Sequence, residues 1–583
     1  MNAREHELSS TTSGFAHLVL ACVAVLLAAA DTYVVVLALP DIMVGVGLDV
    51  NELQRAAPVI SGFLLGYVAM LPLIGRLSDL FGRVPVLVAS LALFALGSLL
   101  TAASYDLAVV VVGRFLQGVG GGGLVPATLA LVADRWPPHR RGLPLGVVGA
   151  VQELGSVLGP LYGAAILLLA DWRAIFWANL AAGLMLAAGI VSVRGQRGRT
   201  RSRARAAARV DVPGLVVGLL ALVTLTLTLT APDRLATDVT VGLAFVPFTG
   251  SSRLLTPIGV TTLVLAVAFV LRQLTAARPL VDVRRLPAVL AAADFTGALL
   301  LGLALGGVVV TFAVADPATQ VISPAGPWLL AGSAACAVAF VVRQRRTANP
   351  VVPRGALAAT PAWGSLVVSF FVGAALIAAL VDVPVFARAT RYPDSQLGAA
   401  LVLVRFLVAL PVGALVGGWL SRRVPAGLLT AAAMLVSAAS FVSMATWNAD
   451  ALSGPGSDVA LVLCGFGFGV AIAPVNAALL AATAASAHGV GSALLVVARM
   501  VGMLVGLSTL TAVGLRQFFV HQGRIGSPAQ LCPDRPGQCP AYLDALRETA
   551  LVQLHTIFAG AAVSAVVAAV VALLTLRRVP GRR

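Results

Sequence analysis

The sequence contains no lysine; all 40 basic residues among its 583 are arginine. That absence removes a Walker A lysine, a Schiff-base lysine and a catalytic lysine together, so the chain is not itself an ATP-driven pump. Charge of either sign is scarce, 11% of residues, where an average soluble domain carries about 25%. Six histidines and five cysteines supply no HExxH and no Cys/His spacing for zinc. No polar stretch is long enough to fold into a catalytic domain, and the sequence is read as that of a non-enzyme. What is present is apolar: 59% hydrophobic residues and a mean hydropathy of +0.97, which excludes a soluble protein.

Apolar runs near the length that crosses about 30 Å of hydrocarbon recur about sixteen times. Six fall between residues 15 and 193, four between 212 and 342, and six between 362 and 576. Ala28, Ala29 and Ala30 look like a signal-peptide cleavage site, but Glu5 and Glu7 flank the first run and it continues to Pro40, so cleavage is not expected. Arginine sets the orientation, because arginine-rich loops resist translocation. With the N-terminus inside, Arg76 and Arg83, Arg135 to Arg141, the tract Arg194 to Arg209, Arg278 to Arg285, Arg343 to Arg354, Arg422 and Arg423, and Arg577 to Arg583 all fall in the cytoplasm. Both termini are then cytoplasmic. This placement accounts for the net charge of +16 without nucleic acid. The tract RGQRGRTRSRARAAAR reads as a topology-setting linker or as a contact for anionic lipid.

An internal repeat lies in the middle of the chain. AVAFVLRQ at 266–273 recurs as AVAFVVRQ at 337–344, each followed six residues later by proline, Pro279 and Pro350. Upstream, Asp211-Val-Pro-Gly214 parallels Asp294-Phe-Thr-Gly297, and Asp233 parallels Asp316. A duplicated helical hairpin is expected, and an even number of added helices leaves the orientation of the second half of the chain unchanged.

Ionisable side chains inside hydrocarbon cost at least a few kcal/mol and are functional candidates by default. Those singled out are Asp31 in the first span, Glu153 in the fifth, and Arg405 and Arg499 in the second half of the chain. Two carboxylates and two arginines from both halves suggest a polar cavity between them, where a carboxylate takes up and releases protons; the alternative is a static ion pair locking the fold. Of the cysteines, Cys22, Cys336 and Cys464 lie in spans, while Cys532 and Cys539 share the polar segment 518–550. There they form a disulfide or remain free thiols. The run Gly118-Val-Gly120-Gly-Gly-Gly123 contains GxGxxG, yet it sits within an apolar helix with no preceding strand, against a nucleotide site.

Between the second and third spans stands Gly75-Arg-Leu-Ser-Asp79-Leu-Phe-Gly82-Arg83. It resembles the loop signature GxLaDrxGrr of the major facilitator superfamily, departing at Leu80 and Val84, where that family usually has basic residues. Arg114-Phe-Leu-Gln117-Gly118 is similar to the same family's RxxQG element, and Gly155-Ser-Val-Leu-Gly159-Pro160-Leu-Tyr-Gly163 to its antiporter motif. Asp31-Thr-Tyr-Val-Val-Val-Leu-Ala-Leu-Pro40 resembles the first-helix signature of the fourteen-helix drug:proton antiporter branch. DTYVVV, QELGSVLGPLYG, FLVALPVGALVGG and VVARMVGML narrow the likeness to mycobacterial triacylglyceride and multidrug exporters that work with a lipid-carrying lipoprotein. The likeness covers nearly the whole chain outside the inserts; four accessory helices, in place of that branch's two, are the clearest departure.

The resemblance implies an all-α integral membrane fold of two six-helix bundles. The boundaries expected are a cytoplasmic tail at 1–14, an N-terminal bundle at 15–193, the linker at 194–210, accessory helices at 211–355, a C-terminal bundle at 356–577 and a cytoplasmic tail at 578–583. Within the C-terminal bundle, the outside loop 518–550 is a docking extension or a plain connector. The implied function is export of amphipathic drugs or lipids across the cytoplasmic membrane by proton antiport, with no cofactor beyond the proton gradient. Asp31 and Glu153 couple protons, and Arg499, with Arg405, holds them alternately. Arg114 assists the proton path or pairs structurally, and Gly75, Asp79, Gly82 and Arg83 form a cytoplasmic latch. The protein is expected to act as a monomer among membrane lipids, with an external lipoprotein as partner. The alternatives are a membrane-embedded lipid-modifying transferase, a lipid flippase without proton coupling, and a scaffold.

Overall fold

The computed structural model describes residues 2–49, 53–195, 211–250, 252–313, 323–393, 395–532 and 539–576. Asp316, the arginine linker beyond its first two residues and the tail 578–583 lie outside the described residues. Among the described residues, sixteen helices are long and apolar enough to cross a membrane. In hydrocarbon every backbone N–H and C=O must be satisfied within the segment, so uninterrupted apolar runs become helices whatever their residue propensities.

The first bundle comprises α1 (Asn2–Gly45), α2 (Leu53–Phe81), α3 (Arg83–Ala103), α4 (Leu107–Arg135), α5 (Gly142–Leu167) and α6 (Arg173–Gly195). The accessory helices are α7 (Val212–Thr230), α8 (Pro257–Thr275), α9 (Phe295–Ala313) and α10 (Gly326–Arg346). The second bundle comprises α11 (Thr360–Ala389), α12 (Gln396–Leu420), α13 (Ala426–Met444), α14 (Pro455–Ala482), α15 (His488–Gln522) and α16 (Pro540–Thr575). α1 is already helical at Asn2, so the expected tail 1–14 continues the first helix. The segment 518–550 is likewise no open loop. Helical backbone runs on beyond the apolar runs, α15 to Gln522 and α16 back to Pro540, and a disulfide joins Cys532 to Cys539 between them.

Local signals place the helix ends. Gly82, at φ 93°, makes the tight turn between α2 and α3 that an L side chain resists. Asp106 caps α4 by accepting from the Val109 N–H at 2.8 Å, and Ser395 caps α12 by accepting from Gly398 at 3.0 Å. In the first bundle α4 packs on α2 and α3, and α5 on α1. Within α4, a Cβ added to Gly120 would lie 2.6 Å from the Ser90 carbonyl of α3, so the glycine run serves close helix packing rather than phosphate binding.

The bundles meet along two seams, α2 with α15 and α5 with α12. Both seams run backbone to backbone near the face that carries the arginine-rich loops. A Cβ on Gly489 would sit 2.5 Å from the Gly75 carbonyl, and one on Gly146 2.5 Å from the Ala414 carbonyl. Buried apolar residues there, Val132 and Leu145 with Leu480 and Ala493, belong to one core that crosses between the bundles.

The accessory helices form two hairpins with the same clasp. In the first, Arg272 of α8 donates to Asp211 at 2.7 Å ahead of α7, and the Gln273 side-chain carbonyl accepts from the Val281 N–H at 3.0 Å. That hydrogen bond from Arg272 holds the Asp211 carboxyl below the usual carboxylate range. In the second, Arg343 of α10 donates to Asp294 at 2.7 Å ahead of α9, and the Gln344 amide donates to the Val352 carbonyl. The second hairpin lies along the α2–α15 seam, with Gly302 and Gly306 of α9 against Ala69 and Leu65 of α2.

Candidate functional site

A cavity of about 420 Å³ lies between the bundles. Most of its wall is apolar, with Phe63 and Leu64 of α2, Ile377 and Leu380 of α11, and Met500, Met503 and Leu507 of α15. Polar groups reach it from both bundles: Thr32 and Tyr33 of α1, Tyr67 of α2, Arg114 of α4, Gln152, Glu153 and Ser156 of α5, and Arg499 of α15. An apolar pocket with few convergent polar groups is the usual form of a small-molecule site.

Two charge centres serve this wall, and they are separate. In the first, Arg114 of α4 donates to Asp31 of α1 at 2.6 Å, with side chains 1% and 0% exposed. Asp31 also accepts from the Asn179 amide of α6 at 2.6 Å and from the Gln117 amide at 3.5 Å; Gln117 in turn donates to Ser98 and accepts from Arg114. The Arg114 guanidinium rests 4.3 Å from the centroid of the Phe63 ring, a favourable seat for a desolvated cation. In the second centre, Arg499 of α15 donates to Glu153 of α5 at 3.4 Å, across the boundary between bundles. The expectation that Arg499 holds both carboxylates therefore changes: it meets Glu153, and Asp31 belongs to Arg114.

Arg405 is a correction. It pairs with Asp458 at the start of α14, both side chains more than a third exposed, and takes no part in the cavity wall. Its partner comes from the neighbouring helix of its own bundle, a contact that spacing along the chain does not report. Sequence reasoning also passed over two groups that the structure brings forward. Asn179 is an amide in an apolar span and a direct donor to Asp31. Asp382, in LIAALVDVPVF of α11, is a carboxyl only 6% exposed next to the cavity-lining Val381. In both cases the signal was present, one polar residue in an apolar run.

The antiporter motif brings α5 against α1 beside the first charge centre. A Cβ on Gly159 would lie 2.5 Å from the Ala30 carbonyl and one on Gly155 3.0 Å from the Leu26 carbonyl, while Gly163 faces Val34. Pro160 lies on the exposed side of the same helix. Gly159→Val is expected to force the two helices apart and cost about 1–3 kcal/mol, the usual penalty of overpacking, read as a lower melting temperature of the purified protein in detergent; unchanged melting would contradict this close contact.

The latch residues close the arginine-rich face. Asp79 accepts from the Gly489 and Val490 N–H groups at 2.8 and 3.0 Å, a carboxylate on the N-terminus of α15 in the other bundle. Arg83 bonds to Asp79 itself, donates to Asp134 at 2.9 Å, and reaches the Ala485 carbonyl across the interface at 3.1 Å. His488 meets the Leu480 carbonyl at 3.1 Å. Burial pulls the Arg141 guanidinium, which donates to the Ala133 carbonyl at 2.7 Å, below the usual arginine range. Leu80 and Val84 place no charge in this loop, and Arg83 bridges it to Asp79 and Asp134.

The profile of the Major Facilitator Superfamily matches residues 21–342. The chain belongs to that superfamily. It is 37% identical to a triacylglyceride transporter of Mycolicibacterium hassiacum, over 92% of this chain and 86% of the relative. A triacylglyceride transporter of Mycolicibacterium smegmatis is 35% identical, over 94% and 85%. Among solved structures, the human organic anion transporter TETRAN superposes with a TM-score of 0.54 at 15% identity, covering 96% of this chain and 99% of that one, a likeness of fold alone. The relatives are transporters, so the alternative of a lipid-modifying transferase is set aside.

Proposed function

We propose that this superfamily member is a proton-coupled antiporter that exports triacylglycerides or similar amphipathic compounds, drugs among them, by alternating access. The observation that carries this reading is the Glu153–Arg499 pair, which joins the two bundles in the wall of a largely apolar cavity. A proton arriving on Glu153 removes one charge of the pair and leaves Arg499 to find another partner, so proton uptake and the relation between bundles are linked through one contact. Asp31 accepts from three donors, and its protonation costs those bonds. It is the second coupling carboxylate, engaged when Arg114 is drawn away.

In this reading the arginine-rich face is cytoplasmic, the membrane is the plasma membrane, and the structure is the outward-facing state. The latch of Asp79 and Arg83 is closed while the cavity lies beyond it. Rocking of one bundle against the other moves the opening to the cytoplasmic side. The names of the relatives supply the triacylglyceride, the apolar wall suits an acyl chain, and a lipid-carrying lipoprotein outside is the proposed acceptor.

Proteoliposomes with an imposed proton gradient test the proposal, using a labelled triacylglyceride and a cationic dye in parallel. Movement of either against its own gradient, abolished by a protonophore, is the expected result. Equal movement with and without the gradient would replace antiport by facilitated flipping.

A further inference from the structure

A second, smaller cavity of about 40 Å³ lies towards the closed arginine-rich face, between α4 and α5 of one bundle and α11, α14 and α15 of the other. The two cavities share Val125, Gln152 and Arg499, so Arg499 stands at the neck between them. The lower chamber is otherwise apolar apart from Ser369 and Asn476. Asn476 donates its amide N–H to the Ile472 carbonyl at 2.9 Å, and among the described residues its Oδ1 accepts no hydrogen bond. Ser369 donates to the Leu495 carbonyl at 3.0 Å and keeps its acceptor capacity, and Gln152 makes no hydrogen bond among the described residues. The chamber has room for about three waters. It thus offers oxygen acceptors beside a guanidinium that has five N–H donors and, among the described residues, one hydrogen bond, at 3.4 Å.

We propose that this chamber is the second seat of the Arg499 guanidinium, with Gln152 and Asn476 as the positioning residues that receive it when Glu153 takes up a proton. The inference rests on Glu153 being the coupling carboxylate. Neutral Glu153 offers Arg499 no charge, and a guanidinium shielded from water must then donate to the nearest other oxygens. Those oxygens lie below it, between the bundles. A guanidinium entering the chamber comes between Leu129 and Val148 of one bundle and Val475 and Val496 of the other, all of which line it. Protonation in the upper cavity so loosens the latch side through a single side chain. The titratable or charged groups facing Glu153 are Tyr33 of α1, Tyr67 of α2, Arg114 of α4 and Arg499 of α15. α11 and α12 bring only apolar side chains to that wall, and α14 brings Ile472 and Asn476 to the chamber.

The test places spin labels on the full-length protein at His139→Cys and Arg422→Cys, on opposite bundles of the arginine-rich face, with the free cysteines replaced by serine. The fraction of open distances is then followed against pH in lipid nanodiscs. Wild type is expected to open as pH falls. Gln152→Leu with Asn476→Leu removes the seat and moves the opening midpoint down by about one pH unit, a tenfold loss in proton affinity. Asn476→Asp supplies a competing carboxylate, draws Arg499 from Glu153, and moves the midpoint up by a similar amount. Asn476→Ser, which keeps an acceptor, restores the wild-type midpoint. Opposite shifts of the leucine and aspartate variants are a signature that packing alone does not produce; if the leucine pair fails to fold, Asn476→Asp and Asn476→Ser decide. Midpoints that do not move, or that move in the same direction, overturn the second seat and leave gradient-driven transport untouched. Loss of gradient dependence in wild-type transport instead overturns the coupling role of Glu153.

Discussion

Arg114→Met is expected to lower the stability of the protein by about 3–5 kcal/mol, the usual cost of removing one partner from a buried ion pair. Asp31 is fully buried and, among the described residues, gets its only charged contact from Arg114. Without the guanidinium, its charge is left with two amides, those of Gln117 and Asn179. Thermal melting in detergent, with size-exclusion chromatography of the same samples, reads the effect. Adding Asp31→Asn to Arg114→Met is expected to regain a large part of the loss, because the uncompensated charge goes with the carboxylate. A single variant that melts like wild type, or a double variant no better than the single, would show that this pair does not hold α1 to α4. The cycle also bears on function: a double variant that is stable yet inactive separates the coupling role of Asp31 from its structural one.

Glu153→Gln is expected to reduce gradient-driven export at least about tenfold, because a group that exchanges protons inside the membrane is replaced by one that cannot. Glutamine is neutral, as protonated glutamate is, and nearly the same size, so the variant is expected to fold. Wild-type export is expected to rise with the inward proton gradient, and the variant's residual rate to stay flat across it. Exchange of labelled for unlabelled substrate without a gradient is expected to survive, since it needs no net proton movement. A Glu153→Gln variant that exports at the wild-type rate with the wild-type gradient dependence would remove Glu153 from the mechanism.

The helices were legible in the sequence because the membrane leaves the backbone one local solution; all sixteen apolar runs are helices. Gly75, Asp79, Gly82 and Arg83 were legible as a unit because they match the superfamily's loop signature within nine residues. Partnership between distant helices was not. Nothing in the spacing says that Asp31 meets Arg114 and Asn179 while Glu153 meets Arg499, nor that Arg405 turns to Asp458, because rotation about each helix axis is set by packing and not by the order of apolar residues. Asp382 needed only a complete search of charges in apolar runs. The lower chamber, a gap between surfaces from both halves of the chain, leaves no trace in either half.

The paired clasps of the accessory region make each hairpin a self-contained cassette. Asp211 with Arg272 and Asp294 with Arg343 each tie one hairpin to itself, and neither clasp borrows a group from the other. Excising residues 211–293 would bring Asp294 to the place Asp211 holds and leave one clasp intact. The remainder keeps its polarity, since the removed piece crosses the membrane twice. The excision leaves fourteen of the spans in their original order, and the hairpin it retains is the one that lies along α2 and α15.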